Sequence, residues 1–238
     1  MKKSVLITGG GRRIGACIAR KLALAGFRVV VHLRRSLEEG GRLAAGLREA
    51  GCEVALVQGR LETPEAAEAL FASALEPFGC LDALVNNASS FVRLPLSRTS
   101  PRDFEEAWRL NTLAPIVLTQ RLAAHLGERG ERGAVVNLLD QRIARPNTGN
   151  MAYLLSKKGM EAFTLSAALE LAPLLRINGV APGAVLTPEM PAGSEPSGGF
   201  PLGRRPLPGE IAEAVLFLLQ APSITGQILY VDGGQHLA

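Results

Sequence analysis

Asp140, Tyr153 and Lys157 are residues of the types an acid–base reaction uses, and they fall within one stretch of the chain, 137–161. Tyr153 and Lys157 are four apart, a spacing that stacks side chains on one face of a helix. An ammonium beside a phenol favours the phenolate and draws a tyrosine pKa down from its usual ~10, which makes the tyrosine a usable general acid or base. The stretch leaves an apolar run at 134–139, crosses a polar loop containing Pro146 and Gly149, and enters a long helical pattern. Tyr-x-x-x-Lys is common on helix surfaces, so the surrounding elements decide what the pair means.

Those elements alternate. Residues 4–8 form a short apolar run without polar alternation, as in a strand buried on both faces. Further strands are expected at 28–32, 53–57, 81–85, 134–138, 176–180 and 227–231. Between them lie helical patterns at 16–25, 36–50, 100–111, 113–126, 150–171 and 208–219, and one more that Thr63 caps and Pro64 opens. Strands alternating with helices of this length imply βαβ units. The expectation is α/β: a single Rossmann-type, doubly wound parallel sheet of about seven strands flanked by helices, one domain over 1–238. The Pro- and Gly-rich segment at about 182–207 is longer than an ordinary connection and follows a strand end, where a substrate lid would sit.

Composition narrows the function. The 238 residues carry a net charge of +4, with a pI near 9.2. The arginines are scattered, and no helix-turn-helix or zinc pattern is present, so nucleic acid is not expected and a small anionic ligand accounts for the excess. No run of 18 apolar residues and no charged-then-apolar leader occurs, which predicts a cytoplasmic protein without a membrane partner. Cys17, Cys52 and Cys80 lack metal-ligand spacing, so they read as reduced, packed side chains and no metal is expected.

The first strand runs into Gly9-Gly10-Gly11-Arg12-Arg13-Ile14-Gly15 and then a helix. Such a turn lets backbone N–H groups approach a pyrophosphate at the helix N-terminus. After the second strand a site for NAD carries an acid that holds the ribose 2′-OH. This chain has His32-Leu33-Arg34-Arg35-Ser36 there, and no acid until Glu38. Guanidinium groups and a hydroxyl match a 2′-phosphate, so the predicted cofactor is NADPH.

Read together, the motifs resemble the short-chain dehydrogenase/reductase family over essentially the whole chain. Thr8-Gly9-x-x-x-Arg13-Ile14-Gly15 is similar to its T-G-x-x-x-G-x-G turn, and Asn86-Asn87-Ala88 to its N-N-A-G. Asn111 stands at the place of its catalytic asparagine, and Tyr153 with Lys157 forms its Y-x-x-x-K. Pro182-Gly183 with Thr187 resembles the P-G-x-x-x-T at the nicotinamide end, and Val231-Asp232-Gly233-Gly234 closes the last strand in the family manner.

Three departures resemble one subgroup, the pteridine reductases with the related dihydromonapterin reductases. Asp140 replaces the catalytic serine, Arg13 replaces the middle glycine of the turn, and Ser89-Ser90-Phe91 follows Ala88. His32-x-x-Arg35-Ser36 is similar as well. The resemblance implies a catalytic set of Asn111, Asp140, Tyr153 and Lys157. It implies a cofactor held by Gly9, Arg12, Arg13, Ile14 and Gly15, by His32, Arg34, Arg35 and Ser36, by Asn87, Ala88 and Ser89, by Tyr153 and Lys157, and by Pro182 and Gly183. A pterin would stack on Phe91, with Arg13, Ser89, Asp140 and Tyr153 at its polar edge. The implied reaction is hydride transfer from NADPH to a C=N or C=O carbon, with Tyr153 supplying the proton. The alternative in the same family is a carbonyl reductase such as 3-oxoacyl-acyl-carrier-protein reductase, for which Phe91 and Asp140 would be incidental. The family's adenine-contacting aspartate is Arg60 here, which offers no acceptor to an amine, so that contact is expected to be lost or replaced by stacking. Family members commonly form homotetramers, and Ala162, Leu165, Ser166 and Leu169 supply a stripe for such an interface.

Overall fold

The computed structural model describes residues 2–185 and 199–238. Residues 186–198, which hold Thr187 and half of the expected lid, lie outside the described residues. Each expected strand is present: β1 (Ser4–Ile7), β2 (Arg28–Leu33), β3 (Val54–Gln58), β4 (Ala83–Asn86), β5 (Gly133–Leu138), β6 (Leu175–Pro182) and β7 (Ile228–Val231). They form one parallel sheet of seven strands in the order β3-β2-β1-β4-β5-β6-β7. The helices are α1 (Arg13–Leu24), α2 (Leu37–Glu49), α3 (Pro64–Leu75), α4 (Pro101–Trp108), α5 (Ala114–Arg129), α6 (Met151–Glu170) and α7 (Pro208–Gln220).

The strands are largely apolar because successive side chains point to opposite faces and both faces are covered. Val5, Ile7, Val29 and Val31 pack with Ile18 and Leu22 of α1, Leu43 and Leu47 of α2, and Ile211 and Val215 of α7. Leu6, Val30, Leu84 and Val135 pack on the other face with Leu70 of α3 and Leu118 and Leu122 of α5. Full burial of each such Leu or Val contributes about 1.5–3 kcal/mol. The order of the sheet reverses between β1 and β4, and the helices after these strands lie on opposite faces. A crevice is left outside the carboxyl ends of β1 and β4, where ligands of open α/β sheets bind.

Two features behind that crevice were not visible in the pattern. A π-helical turn at Arg109–Leu113 joins α4 to α5, so the two expected helices run on as one irregular rod. Single π turns inside helices are frequent at functional sites, and Asn111 lies inside this one. The second feature is a buried polar ladder. Asn86 Nδ2 donates to Asn137 Oδ1 (2.9 Å) and Asn137 Nδ2 to Thr164 Oγ1 (2.9 Å), tying β4 and β5 to α6.

Candidate active site

The turn after β1 is held from three sides. Gly9 has φ +63°, and its N–H donates to His32 Nδ1 at 3.2 Å. The other His32 nitrogen faces the Gly59 carbonyl at 3.2 Å, so Nε2 carries the hydrogen and the ring is neutral. Burial pushes the His32 pKa down, which is consistent with that state. Asn87 Nδ2 donates to the carbonyls of Thr8 (2.9 Å) and Gly9 (3.0 Å), and Thr8 Oγ1 accepts from the amides of Asn87 (2.9 Å) and Ala88 (3.0 Å). A Cβ on Gly15 would stand 2.3 Å from the Gly9 carbonyl oxygen, so no side chain fits there. Arg12 precedes α1 without capping it, and no acid stands in the first helical turn, which leaves that end of the helix suited to an anion.

Gly9, Arg12, Arg13, Ile14, Gly15, His32, Arg34, Arg35, Ser36, Asn87, Ala88 and Ser89 line one groove of about 610 Å³. The fold thus brings together the residues expected from the turn, from the end of β2 and from the end of β4. The expectation of no acid near the arginines is corrected, because Glu62, from the loop before α3, lines the same groove and forms an ion pair with Arg34. Arg60 is mostly solvent-exposed and lies 3.8 Å from Glu62 Oε2. Gly183 lies apart from the groove, in a smaller cavity of about 290 Å³ that also contains Asp140, Arg142 and Arg145. Pro182 is the buried last residue of β6.

Beyond the groove the acid–base residues converge. Asp140 opens a short 3₁₀ turn after β5; its Oδ1 accepts from the Arg142 amide at 2.9 Å and its Oδ2 from the Tyr153 hydroxyl at 2.9 Å. Lys157, one turn along α6, is buried and donates from Nζ to the Leu138 carbonyl at 2.7 Å. Asn111 Oδ1 accepts from the Ser90 amide (2.8 Å) and from Ser89 Oγ (3.1 Å), while Nδ2 donates to the Ser90 carbonyl (3.0 Å) and to Ser156 Oγ (3.0 Å). Ser156 Oγ in turn donates to the Tyr153 carbonyl at 2.6 Å. Asn111 therefore clamps the loop that carries Phe91 to the helix that carries Tyr153. The Phe91 ring meets Tyr153 edge-on, with centroids 4.8 Å apart and planes at 86°, and it is 48% exposed.

The electrostatics differ from the expectation of a tyrosine acidified by its lysine. Burial first, then the charge of Asp140 and its hydrogen bond, raise the Tyr153 pKa well above the ordinary value; Arg142 opposes them. Lys157 Nζ stands 5.8 Å from the centroid of the Tyr153 ring, and its hydrogen bond goes to the backbone. Burial lowers the Lys157 pKa to about 8, with Asp140 acting in the opposite direction. In this state the phenol is firmly protonated and the lysine is easily neutralised. Glu62, Arg142 and Ser156 escaped the sequence reading, since each acts through a tertiary neighbour and belongs to no spaced motif.

A family model for the short chain dehydrogenases matches residues 3–196. The chain belongs to the short chain dehydrogenase family. As a member of it, the protein is an NAD(P)-dependent oxidoreductase. Among relatives, this short chain dehydrogenase is 33% identical over 276 residues to pteridine reductase 1 of Leishmania tarentolae, with 98% of this chain and 96% of the other covered. It is 31% identical over 245 residues to a 3-oxoacyl-[acyl-carrier-protein] reductase of Staphylococcus aureus, covering 100% and 99% of the two chains. The crystal structure of FolM alternative dihydrofolate reductase 1 from Brucella suis in complex with NADP superposes with a TM-score of 0.90 at 35% identity, over 99% of this chain and 96% of the other. Among the described residues of this short chain dehydrogenase, no helix is long and apolar enough to cross a membrane, and no group of His, Cys, Asp and Glu could hold a metal ion.

Proposed function

We propose that this short chain dehydrogenase is an NADPH-dependent reductase of a pterin or dihydropteridine-type heterocycle. The observation that carries the reading is the half-exposed Phe91 standing against Tyr153, whose hydroxyl is bound to Asp140. A flat, nitrogen-rich ring needs an apolar face to stack on and polar groups at its edge, and Phe91, Asp140, Ser89 and Arg13 supply them. The NADP complex of the Brucella suis relative supports NADPH as the cofactor, and Arg34, Arg35 and Ser36 suit its 2′-phosphate. The nicotinamide, when bound, supplies the hydride.

The remaining work falls to the chain. Tyr153 hands its hydroxyl proton to the substrate nitrogen or oxygen, and Asp140 keeps that proton on the phenol until the substrate arrives. Lys157, held on the Leu138 carbonyl, would also hold the cofactor ribose, and its ammonium would steady the phenolate left behind. Asn111 fixes the distance between the Phe91 loop and Tyr153. The exposed Ala162, Leu165, Ser166 and Leu169 of α6 face away from the core and serve as the seam of a homotetramer.

Purified protein with NADPH and a panel of dihydropterins, dihydrofolate and acetoacetyl thioesters tests the proposal. Turnover of the heterocycles, lost by at least about fivefold in Phe91→Ala, supports it. The likeness to the 3-oxoacyl reductase favours carbonyl reduction as the second reading. Good turnover of the thioester with none of any pterin would put that reading in place of the first.

A further inference from the structure

The ion pair between Arg34 and Glu62 lies where the two nicotinamide cofactors differ. Arg34 follows β2, at the position that reads the ribose 2′ substituent, and Arg35 and Ser36 of the same turn line the groove beside it. Glu62 reaches this place from the end of the loop after β3, next to the Thr63 cap of α3. Its Oε2 accepts from the Leu61 amide at 3.0 Å, and Arg60 Nε stands 3.8 Å away. Partial burial works against the Glu62 charge. The Leu61 and Glu62 amides, with Arg34 and Arg60, nonetheless hold its carboxyl below the usual range, so it is ionised at neutral pH.

A 2′-phosphate bears close to two negative charges at neutral pH. To use Arg34 it must share that guanidinium with a carboxylate that already occupies it, and it must also sit near that carboxylate. A cofactor with a plain 2′-OH meets neither demand. The cost of the Glu62 charge therefore falls on one cofactor alone. We propose that Glu62 is a cofactor-selecting residue that competes with the 2′-phosphate for Arg34 and holds the preference for NADPH over NADH below what the arginines of this turn would give unopposed. The proposal rests on the reading that the groove binds NADP(H), and it adds a residue that works against the binding of the phosphate.

The magnitude follows from exposure. The side chains of Arg34 and Glu62 are 44% and 34% exposed, so the pair is a surface pair in strength. Removing the carboxylate should tighten NADPH binding by about two- to fivefold. The experiment is a fluorescence titration of the full chain, wild type and Glu62→Gln, with NADPH and with NADH. The expected result is a lower NADPH dissociation constant in Glu62→Gln and an NADH constant that is unchanged or higher, because a carboxylate can accept from a 2′-OH but repels a 2′-phosphate; retained NADH binding also shows that the variant is folded. Weaker NADPH binding by Glu62→Gln would overturn the proposal, because Glu62 would then be orienting Arg34 toward the phosphate. Equal changes for both cofactors would overturn it too, by placing Glu62 on the half of the molecule they share. A wild type that binds neither cofactor would bring down the groove reading and this proposal with it.

Discussion

Asn in place of Asp140 keeps the shape of that side chain and removes its charge. The Tyr153 hydroxyl donates to Asp140 Oδ2 at 2.9 Å, and after burial the carboxylate is the next cause that keeps the phenol protonated. A hydrogen bond to a charged group contributes about 1.5–3 kcal/mol. Loss of that charge should raise the ionisation constant of Tyr153 by about ten- to a hundredfold, while burial still keeps the phenol above a free tyrosine. The assay is direct because the chain has only two tyrosines, Tyr153 and Tyr230. In a Tyr230→Phe background the near-ultraviolet absorbance of tyrosinate reports Tyr153 alone. Titrated upward in pH, Asp140→Asn should begin to form tyrosinate earlier than its parent, and its turnover should fall at a lower pH on the alkaline side. Superimposable titration curves would refute the reasoning, because Asp140 would then have no hold on the Tyr153 proton.

Tyr153→Phe should lower turnover by about a hundredfold or more while leaving NADPH affinity nearly intact, as stopped-flow kinetics and a binding titration would show; near-normal turnover would mean the proton comes from elsewhere. Burial lowers the Lys157 pKa to about 8, below its unfolded value of 10.5, so between these limits the unfolded chain binds the extra proton and the wild type gains stability as pH rises. Urea unfolding of Lys157→Met beside the wild type should therefore show the variant's relative stability falling from pH 8 to 10, and a constant difference would count against the buried charge. Light scattering should give a wild-type mass several times the 25.2 kDa of one chain, and Leu165→Glu with Leu169→Glu should return it to one chain; a monomeric wild type would remove the tetramer from the proposal.

Much of the fold was legible in the chain itself. Continuous Val/Ile/Leu runs such as 5–7 and 29–31 are satisfied by strands covered on both faces, and helices between such strands require parallel pairing. Thr63 and Pro64 marked the start of α3, and the Thr63 side chain accepts from the Ala66 amide there. Most of the residues that line the groove were legible too, because a helix N-terminus and two strand ends converge at one edge of any such sheet. The spacing of Tyr153 and Lys157 placed them on one face of α6. Spacing along a helix said nothing about what lies across from them. Only the tertiary structure decided that Asp140, thirteen residues away, would take the Tyr153 hydroxyl and that Lys157 would turn to the Leu138 carbonyl. The same holds for Glu62 beside Arg34 and for the π turn that aims Asn111 at Ser90 and Ser156. Burial and charge are properties of what the folded chain brings within a few ångströms, and no local pattern of residue types encodes those neighbours.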